Sequence, residues 1–379
     1  MIRSVCTLLL FCLVVPAWGQ QTETDLQLTL PPEIYVVPGV PTNIYFDNIV
    51  LTQSPDKYRF DVVCDFGQSE QHHWTWTPTA GDVGVYPIRV DLYSADDTLL
   101  DSAASVLRVT AGAASPSTEP IRILIIGDSL THASAYPNEI ARLMTEDAKQ
   151  PWKMLGTHKP ASAAADVAHE GYGGWTWWNF VNKYEPNPDG THRKRSSPFV
   201  FLNDESKPVL DMPRYFKEQC DGQLPDYVVI KLGINDLFSA PAGDVAGTDA
   251  KIDTVFGYAD QLVAATRAAA PNATIGICLT TPPNARQEAF EANYKGRYSR
   301  WGWKQIQHQL VQRQMQYIAD KSDPQILIVP TQLNLDPVDG YPDNNSVHPN
   351  KSGYQQIGSS IYAWLQHQLA GKSPAPAAK

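Results

Sequence analysis

Four apolar runs, at residues 121–126, 227–232, 274–280 and 326–330, constrain the fold of this chain more than any other feature. Each is short and almost uninterrupted by polar side chains, as in "IRILII" and "YVVIKL". A strand that is apolar on both faces has to be covered on both faces. Between the runs lie stretches of helical periodicity near 136–148, 248–270, 303–320 and 351–369. In the last of these, Tyr354, Ile357, Ile361, Trp364 and Leu365 fall on one helical face. This alternation predicts an α/β domain over residues 121–370, with a parallel sheet between two helical layers. In such sheets the working loops lie at the carboxyl ends of the strands.

The chain ahead of this domain has a different texture. In "VGVYPIRVDLYSADDTLLDSAASVLRVTA", Ile88, Val90 and Leu92 alternate with Arg89 and Asp91, "SADD" makes a turn, and a second strand follows. Alternation with regular turns predicts a small all-β sandwich of immunoglobulin type over residues 21–111. "GAASPSTEP" (112–120) reads as a linker and residues 371–379 as a tail. The first 19 residues read as a secretory signal peptide: Arg3, then an apolar run from Val5 to Val15, then Ala17-Trp18-Gly19 with small residues before the cut. The expected location is therefore secreted or periplasmic. No other stretch is long and apolar enough to span a bilayer.

A net charge of −10 and the lack of a basic block argue against nucleic acid, or any polyanion, as the main partner. After removal of the leader, Cys64, Cys220 and Cys278 remain. Nothing in their number demands a disulfide, and Cys278, within "TIGICL", reads as a core residue. His72-His73 is the only paired histidine. It reads as a loop feature rather than a metal site.

The candidate chemistry lies in four segments. "GDSL" (127–130) ends the first apolar run and presents Ser129. "EGYGGWT" (170–176) is rich in glycine, which lets backbone N–H groups approach a ligand. "GIND" (233–236) ends the second run, and "NNSVHPNKSGY" (344–354) places His348 just before the last helix. Together, Gly127-Asp128-Ser129-Leu130, Gly171 to Thr176, Gly233-Ile234-Asn235-Asp236 and His348-Pro349 resemble, in order, the motifs of the SGNH, or GDSL-type, hydrolases. The resemblance covers roughly residues 120–370. It implies a flavodoxin-like three-layer α/β/α hydrolase domain and a catalytic serine, Ser129, with His348 as base. It also implies an oxyanion hole made by the N–H groups of Ser129 and Gly171 and the Asn235 amide, with no metal or organic cofactor.

One position departs from the family pattern. Three residues before the histidine, where the family usually has Asp, stands Asn345. An amide oxygen can orient an imidazole but brings no negative charge. Asp343 and a backbone carbonyl are the alternatives to Asn345 as the orienting group. Asp128 reads as a brace for the serine loop.

Tryptophans gather after the glycine segment. Trp175, Trp177 and Trp178 are the candidate substrate-binding residues, and "RYSRWGW" (297–303) adds further aromatics. Flat apolar rings with polar rims suit sugars, and no long aliphatic lid is visible. The reading that results is an exported carbohydrate O-acetylesterase acting through an acyl-Ser129 intermediate. Two alternatives stand beside it: a lipid or aryl esterase or thioesterase of the same fold, and a catalytically impaired polysaccharide-binding protein.

Overall fold

The computed structural model describes residues 26–112, 118–148, 150–185 and 196–372. The signal-peptide reading of residues 1–19, the centre of the linker (113–117) and the tail from 373 onward lie outside the described residues.

The second part of the chain builds a parallel sheet from β8 (Ile121–Gly127), β9 (Trp152–Leu155), β10 (Glu170–Gly171), β13 (Tyr227–Lys231), β14 (Thr274–Cys278) and β15 (Ile326–Val329). β8 lies between β13 on one side and β9 and β10 on the other, and β14 and β15 extend the β13 side. Counting β9 and β10 together, the order is 2-1-3-4-5, the flavodoxin-like arrangement. Ile123, Leu124, Ile125 and Ile126 are fully buried, as are Tyr227 to Ile230. Burying an aliphatic side chain of this size is worth about 1.5–3 kcal/mol, so these runs fix the centre of the sheet.

The predicted helices are present as α3 (Ala135–Asp147), α7 (Val245–Ala269), α9 (Arg300–Asp320) and α10 (Lys351–Lys372). α3 packs against α10, and α7 packs against α9. Trp364, on the apolar face of α10, is completely buried and meets Tyr227 of β13 edge-on at 6.0 Å. Two short strands, β9 and β10, and the hairpin β11 (Val200–Leu202)–β12 (Pro208–Leu210) were not visible in the sequence pattern. They are too short, or too irregular in side-chain alternation, to give a periodic signal.

The preceding β-rich region has two sheets. One contains β1 (Glu33–Val36), β7 (Leu99–Val109), β6 (Gly84–Tyr93) and β3 (Arg59–Val63); the other contains β2 (Thr42–Tyr45), β5 (His73–Trp76) and β4 (Gln68–Ser69). Ile34, Val36, Val90, Leu92 and Leu107 of the first sheet share one core with Ile44, Trp74 and Trp76 of the second. The hairpin read around "SADD" is the β6–β7 pair. Asp91, which alternates with the apolar residues of β6, is nevertheless buried; its carboxylate accepts hydrogen bonds from Arg89 and Ser102.

This region is joined to the hydrolase sheet by polar bonds as well as apolar contact. Asn48 Nδ2 donates to the carbonyl oxygens of Gln332, at 2.9 Å, and Leu335, at 2.7 Å. Asp47 pairs with Arg300 and Lys304 at the start of α9. Burial alone would push the Asp47 carboxyl up, but the two cations hold it below the usual carboxylate range.

Candidate active site

At the carboxyl edge of the sheet the chain order reverses between β8 and β13, with strands added later on either side. This switch point is where an open α/β sheet leaves a crevice. Ser129 follows β8 there, as the first residue of the short helix α2 (Ser129–His132), and Asn235 follows β13 in α6 (Ile234–Leu237). Asp128 caps α2: its Oδ1 accepts from the Leu130 N–H at 3.0 Å. Burial pushes the Asp128 carboxyl up to about 6, opposed by the neighbouring Lys231. Asp128 is thus placed against the loop backbone, away from the histidine contact described next.

Ser129 Oγ lies 2.8 Å from His348 Nε2, and His348 Nδ1 lies 3.1 Å from Asn345 Oδ1. The orientation of the Asn345 amide follows from its other bonds. The same Oδ1 accepts the backbone N–H of His348 at 3.0 Å and that of Val347 at 3.3 Å. Backbone N–H groups only donate, so the oxygen, not the NH₂, faces the ring. The ring therefore carries its proton on Nδ1 and leaves Nε2 free to accept from the serine. Burial holds the His348 pKa below its ordinary value, which favours the neutral form. Asp343 does not reach the ring; its side chain is 91% exposed and faces Arg286 at 3.6 Å.

The loop carrying His348 is clamped by two residues that sequence reasoning missed. Buried Asn284 donates through Nδ2 to the carbonyls of Pro342 and Asn345, both at 2.9 Å, and its backbone N–H donates to Ser346 O. Asn293 Oδ1 accepts from both the N–H and the hydroxyl of Ser346. Neither asparagine belongs to a motif, since each reaches the loop from a segment distant in sequence.

The oxyanion side differs from expectation at one point. The Asn235 amide donates to the Trp175 carbonyl at 3.0 Å, which fixes the side chain and leaves its second N–H for another acceptor. The Ser129 N–H makes no hydrogen bond among the described residues. Gly171 was expected as a third donor, but its N–H is already given to His169 Nδ1 at 3.1 Å. His169 is buried and its pKa is pushed down to about 3, chiefly by that burial, so the neutral ring accepts from Gly171. Its Nε2–H then points to Ser134 Oγ, at 3.0 Å. Gly171 is a glycine for packing: a Cβ there would come within 2.5 Å of the Thr131 side chain. The exposed N–H groups of the loop that remain unbonded belong to Gly173 and Gly174. Gly174, the second glycine of the Gly171–Thr176 pattern, has φ +77°, a conformation that favours glycine.

The three tryptophans separate. Trp175 and Trp177 are buried in the main core, and this corrects their assignment to substrate binding; Trp177 opens α4 (Trp177–Asn182), and Trp175, just ahead of it, packs edge-on against Phe180 of that helix. Trp178 is 45% exposed. The Trp177 N–H donates to Asp236 Oδ1 at 3.0 Å, tying α4 to α6, while burial raises the Asp236 carboxyl to about 7. Glu170 braces the glycine loop from below, accepting from the hydroxyls of Tyr172 and Tyr215 and the Thr157 N–H.

Among the described residues, no group of three or more His, Cys, Asp or Glu side chains could hold a metal ion. His72 faces Asp56 at 3.4 Å and His73 stacks on Tyr45.

The model of the GDSL-like lipase/acylhydrolase family matches residues 125–356. The chain belongs to this family. Its four SGNH segments fall inside the matched span and meet at the switch point just described. Among solved structures, this GDSL hydrolase is similar to a carbohydrate esterase family 3 protein from Talaromyces cellulolyticus, at 16% identity and TM-score 0.44, over 66% of this chain and 98% of that one. It is similar to a family 3 carbohydrate esterase of Clostridium thermocellum, at 21% identity and TM-score 0.36, over 67% and 100%. It also resembles a family two carbohydrate esterase of Clostridium thermocellum, solved with cellohexaose, at 15% identity and TM-score 0.37, over 88% and 94%. No curated protein matches the chain. No helix among the described residues is long and apolar enough to cross a membrane.

Proposed function

We propose that this protein is an exported serine esterase that removes O-acetyl groups from carbohydrate. The observation that carries the esterase reading is the Ser129–His348–Asn345 relay, with bonds of 2.8 and 3.1 Å. Ser129 Oγ attacks the acetyl carbonyl as His348 Nε2 takes its proton. The imidazolium so formed keeps its Nδ1–H on Asn345 Oδ1. The tetrahedral oxygen receives hydrogen bonds from the Ser129 N–H, the second Asn235 N–H and the Gly173–Gly174 loop, in place of Gly171. Collapse breaks the bond to the sugar oxygen, which leaves with the proton from His348 Nε2. Water, deprotonated by the same nitrogen, then attacks the acetyl-serine; the bond to Ser129 Oγ breaks, His348 Nε2 returns the proton to that oxygen, and acetate is released.

The carbohydrate part of the reading is supported by the half-exposed Trp178 on α4, close in sequence to the exposed Gly173 and Gly174. A flat ring on an open surface offers a stacking face to a sugar and no channel to an alkyl chain.

The test is hydrolysis of 4-nitrophenyl acetate, butyrate and octanoate, then acetate release from acetylated polysaccharides, by the parent and by Ser129→Ala. Turnover that is fastest on acetate, extends to the polysaccharide and vanishes in the variant is expected. Rates rising with chain length would move the assignment to a lipid or aryl esterase. Sugar binding without any Ser129-dependent turnover would make it a binding protein.

A further inference from the structure

Tyr298 and Trp303, from the aromatics of residues 297–303, have no part in the relay, yet they line a cavity. A space of about 370 Å³ lies between the segment following α6 and the loop that joins α8 (Gln287–Tyr294) to α9. Phe238, Tyr298, Trp303, Ile306, Ser299 and Arg297 line it. That volume is at the lower end of small-ligand sites, which run from roughly 300 to 1,000 Å³. The cavity adjoins the proposed reaction centre through the chain itself. The Phe238 N–H bonds to Ile234 O, so Phe238 sits one helical turn beyond Asn235, and residues at that spacing are neighbours on a helix surface.

The walls are rigid. Phe238 stacks on Trp303 with centroids 4.5 Å apart and planes 10° from parallel, and it is held at 5.1 Å by Tyr298 and at 5.2 Å by Tyr294. Rings locked in this way supply contact area without an ordering cost on binding. Buried Trp303 also carries an indole N–H with no protein partner.

Arg297 supplies the charge. It is exposed, its guanidinium lies 5.1 Å from the centre of the Tyr298 ring, and it makes no ion pair or side-chain hydrogen bond among the described residues. Its neighbours differ: Arg286 faces Asp343, and Arg300 and Lys304 are both paired with Asp47. An unpaired guanidinium beside aromatic faces matches a ring that bears a carboxylate. An alkyl chain would leave the charge unused. The net charge of −10 disfavours a continuous polyanion, so the match is to an isolated acidic unit on a mostly neutral glycan.

We propose that this cavity is a subsite for a carboxylated pyranose, a hexuronate unit of the acetylated glycan, with its ring against Phe238 and Tyr298 and its carboxylate on Arg297. The assignment rests on the carbohydrate reading above.

Methyl β-glucuronoside and methyl β-glucoside differ only in the carboxylate, so they are the probes. Each is titrated into Ser129→Ala protein, with and without Arg297→Gln, and followed by the NMR shift of the Trp303 indole N–H. The glucuronoside should bind more tightly, and Arg297→Gln should weaken it by roughly three- to tenfold while leaving the glucoside unchanged. Arg297→Gln alone should keep the urea midpoint of the parent, which reports an intact fold. Equal binding of the two sugars, no binding of either, or no effect of Arg297→Gln overturns the subsite. The two readings fail separately. Turnover of acetylated glycans without a uronoside preference removes the subsite alone. Arg297-dependent uronoside binding without glycan turnover removes the carbohydrate-esterase reading alone.

Discussion

Replacing Asn345 with Asp tests the relay most directly, because it adds one charge and preserves the geometry. The new carboxylate would keep the two backbone N–H bonds and the contact with His348 Nδ1, now 3.1 Å from Asn345 Oδ1. In a site with effective dielectric near 20, unit charges about 4 Å apart attract by about 4 kcal/mol, an upper bound here. The ring is only partly buried and the new carboxylate must itself be desolvated. A rise of about one pKa unit in His348, or ~1.4 kcal/mol, is the reasonable figure. The sign is definite. Burial holds the parent imidazole low, and an adjacent anion favours the imidazolium and moves it upward. The same attraction stabilises the imidazolium in the transition state, so the rate on the alkaline plateau should rise by up to about tenfold. At low pH the two effects cancel, because a faster enzyme is then less often deprotonated. The assay is kcat/KM for 4-nitrophenyl acetate against pH for the parent, Asn345→Asp and Asn345→Ala. The parent and Asp curves should merge on the acid side and separate above it, with the bend to the plateau of the Asp variant displaced upward by about one pH unit. The Ala variant should fall below both. An Asp variant whose bend and plateau both coincide with those of the parent, or an Ala variant as fast as the parent, would refute the role given to Asn345.

Two further outcomes follow from other parts of the structure. Asn235→Ala should lower kcat on 4-nitrophenyl acetate by roughly 10²–10³ with little change in the urea midpoint, since it removes a proposed oxyanion donor that is only half-buried. Asp47→Asn should leave Lys304 and Arg300 without their counter-charge in a buried interface and reduce unfolding free energy by about 3–5 kcal/mol in urea. Because the Asp47 carboxyl is held below its unfolded value, this stabilisation is complete above the ordinary carboxylate range and is lost as pH falls through the lower, folded value. The variant should therefore show a weaker acid dependence of stability than the parent.

The sequence by itself determined the sheet and the order of the four family segments along it. Fully apolar runs such as Ile123–Ile126 have few places to go except the middle of a covered parallel sheet. Ser129 and Asn235 were legible because each ends such a run, and a strand end is a local feature. Tertiary structure decided what depends on contact between distant segments. Which oxygen orients His348 was settled by the Val347 and His348 N–H groups folding back onto Asn345. The glycine pattern marks Gly171 as an anion donor, but in the folded chain its N–H is given to His169. Trp175, Trp177 and Trp178 are near neighbours in the chain, yet only Trp178 faces solvent, because helix α4 turns Trp177 inward and Trp175, ahead of the helix, packs against its Phe180. Residue type and spacing define which bonds are possible. Burial and the competition between partners decide which are made, and both are properties of the packed chain.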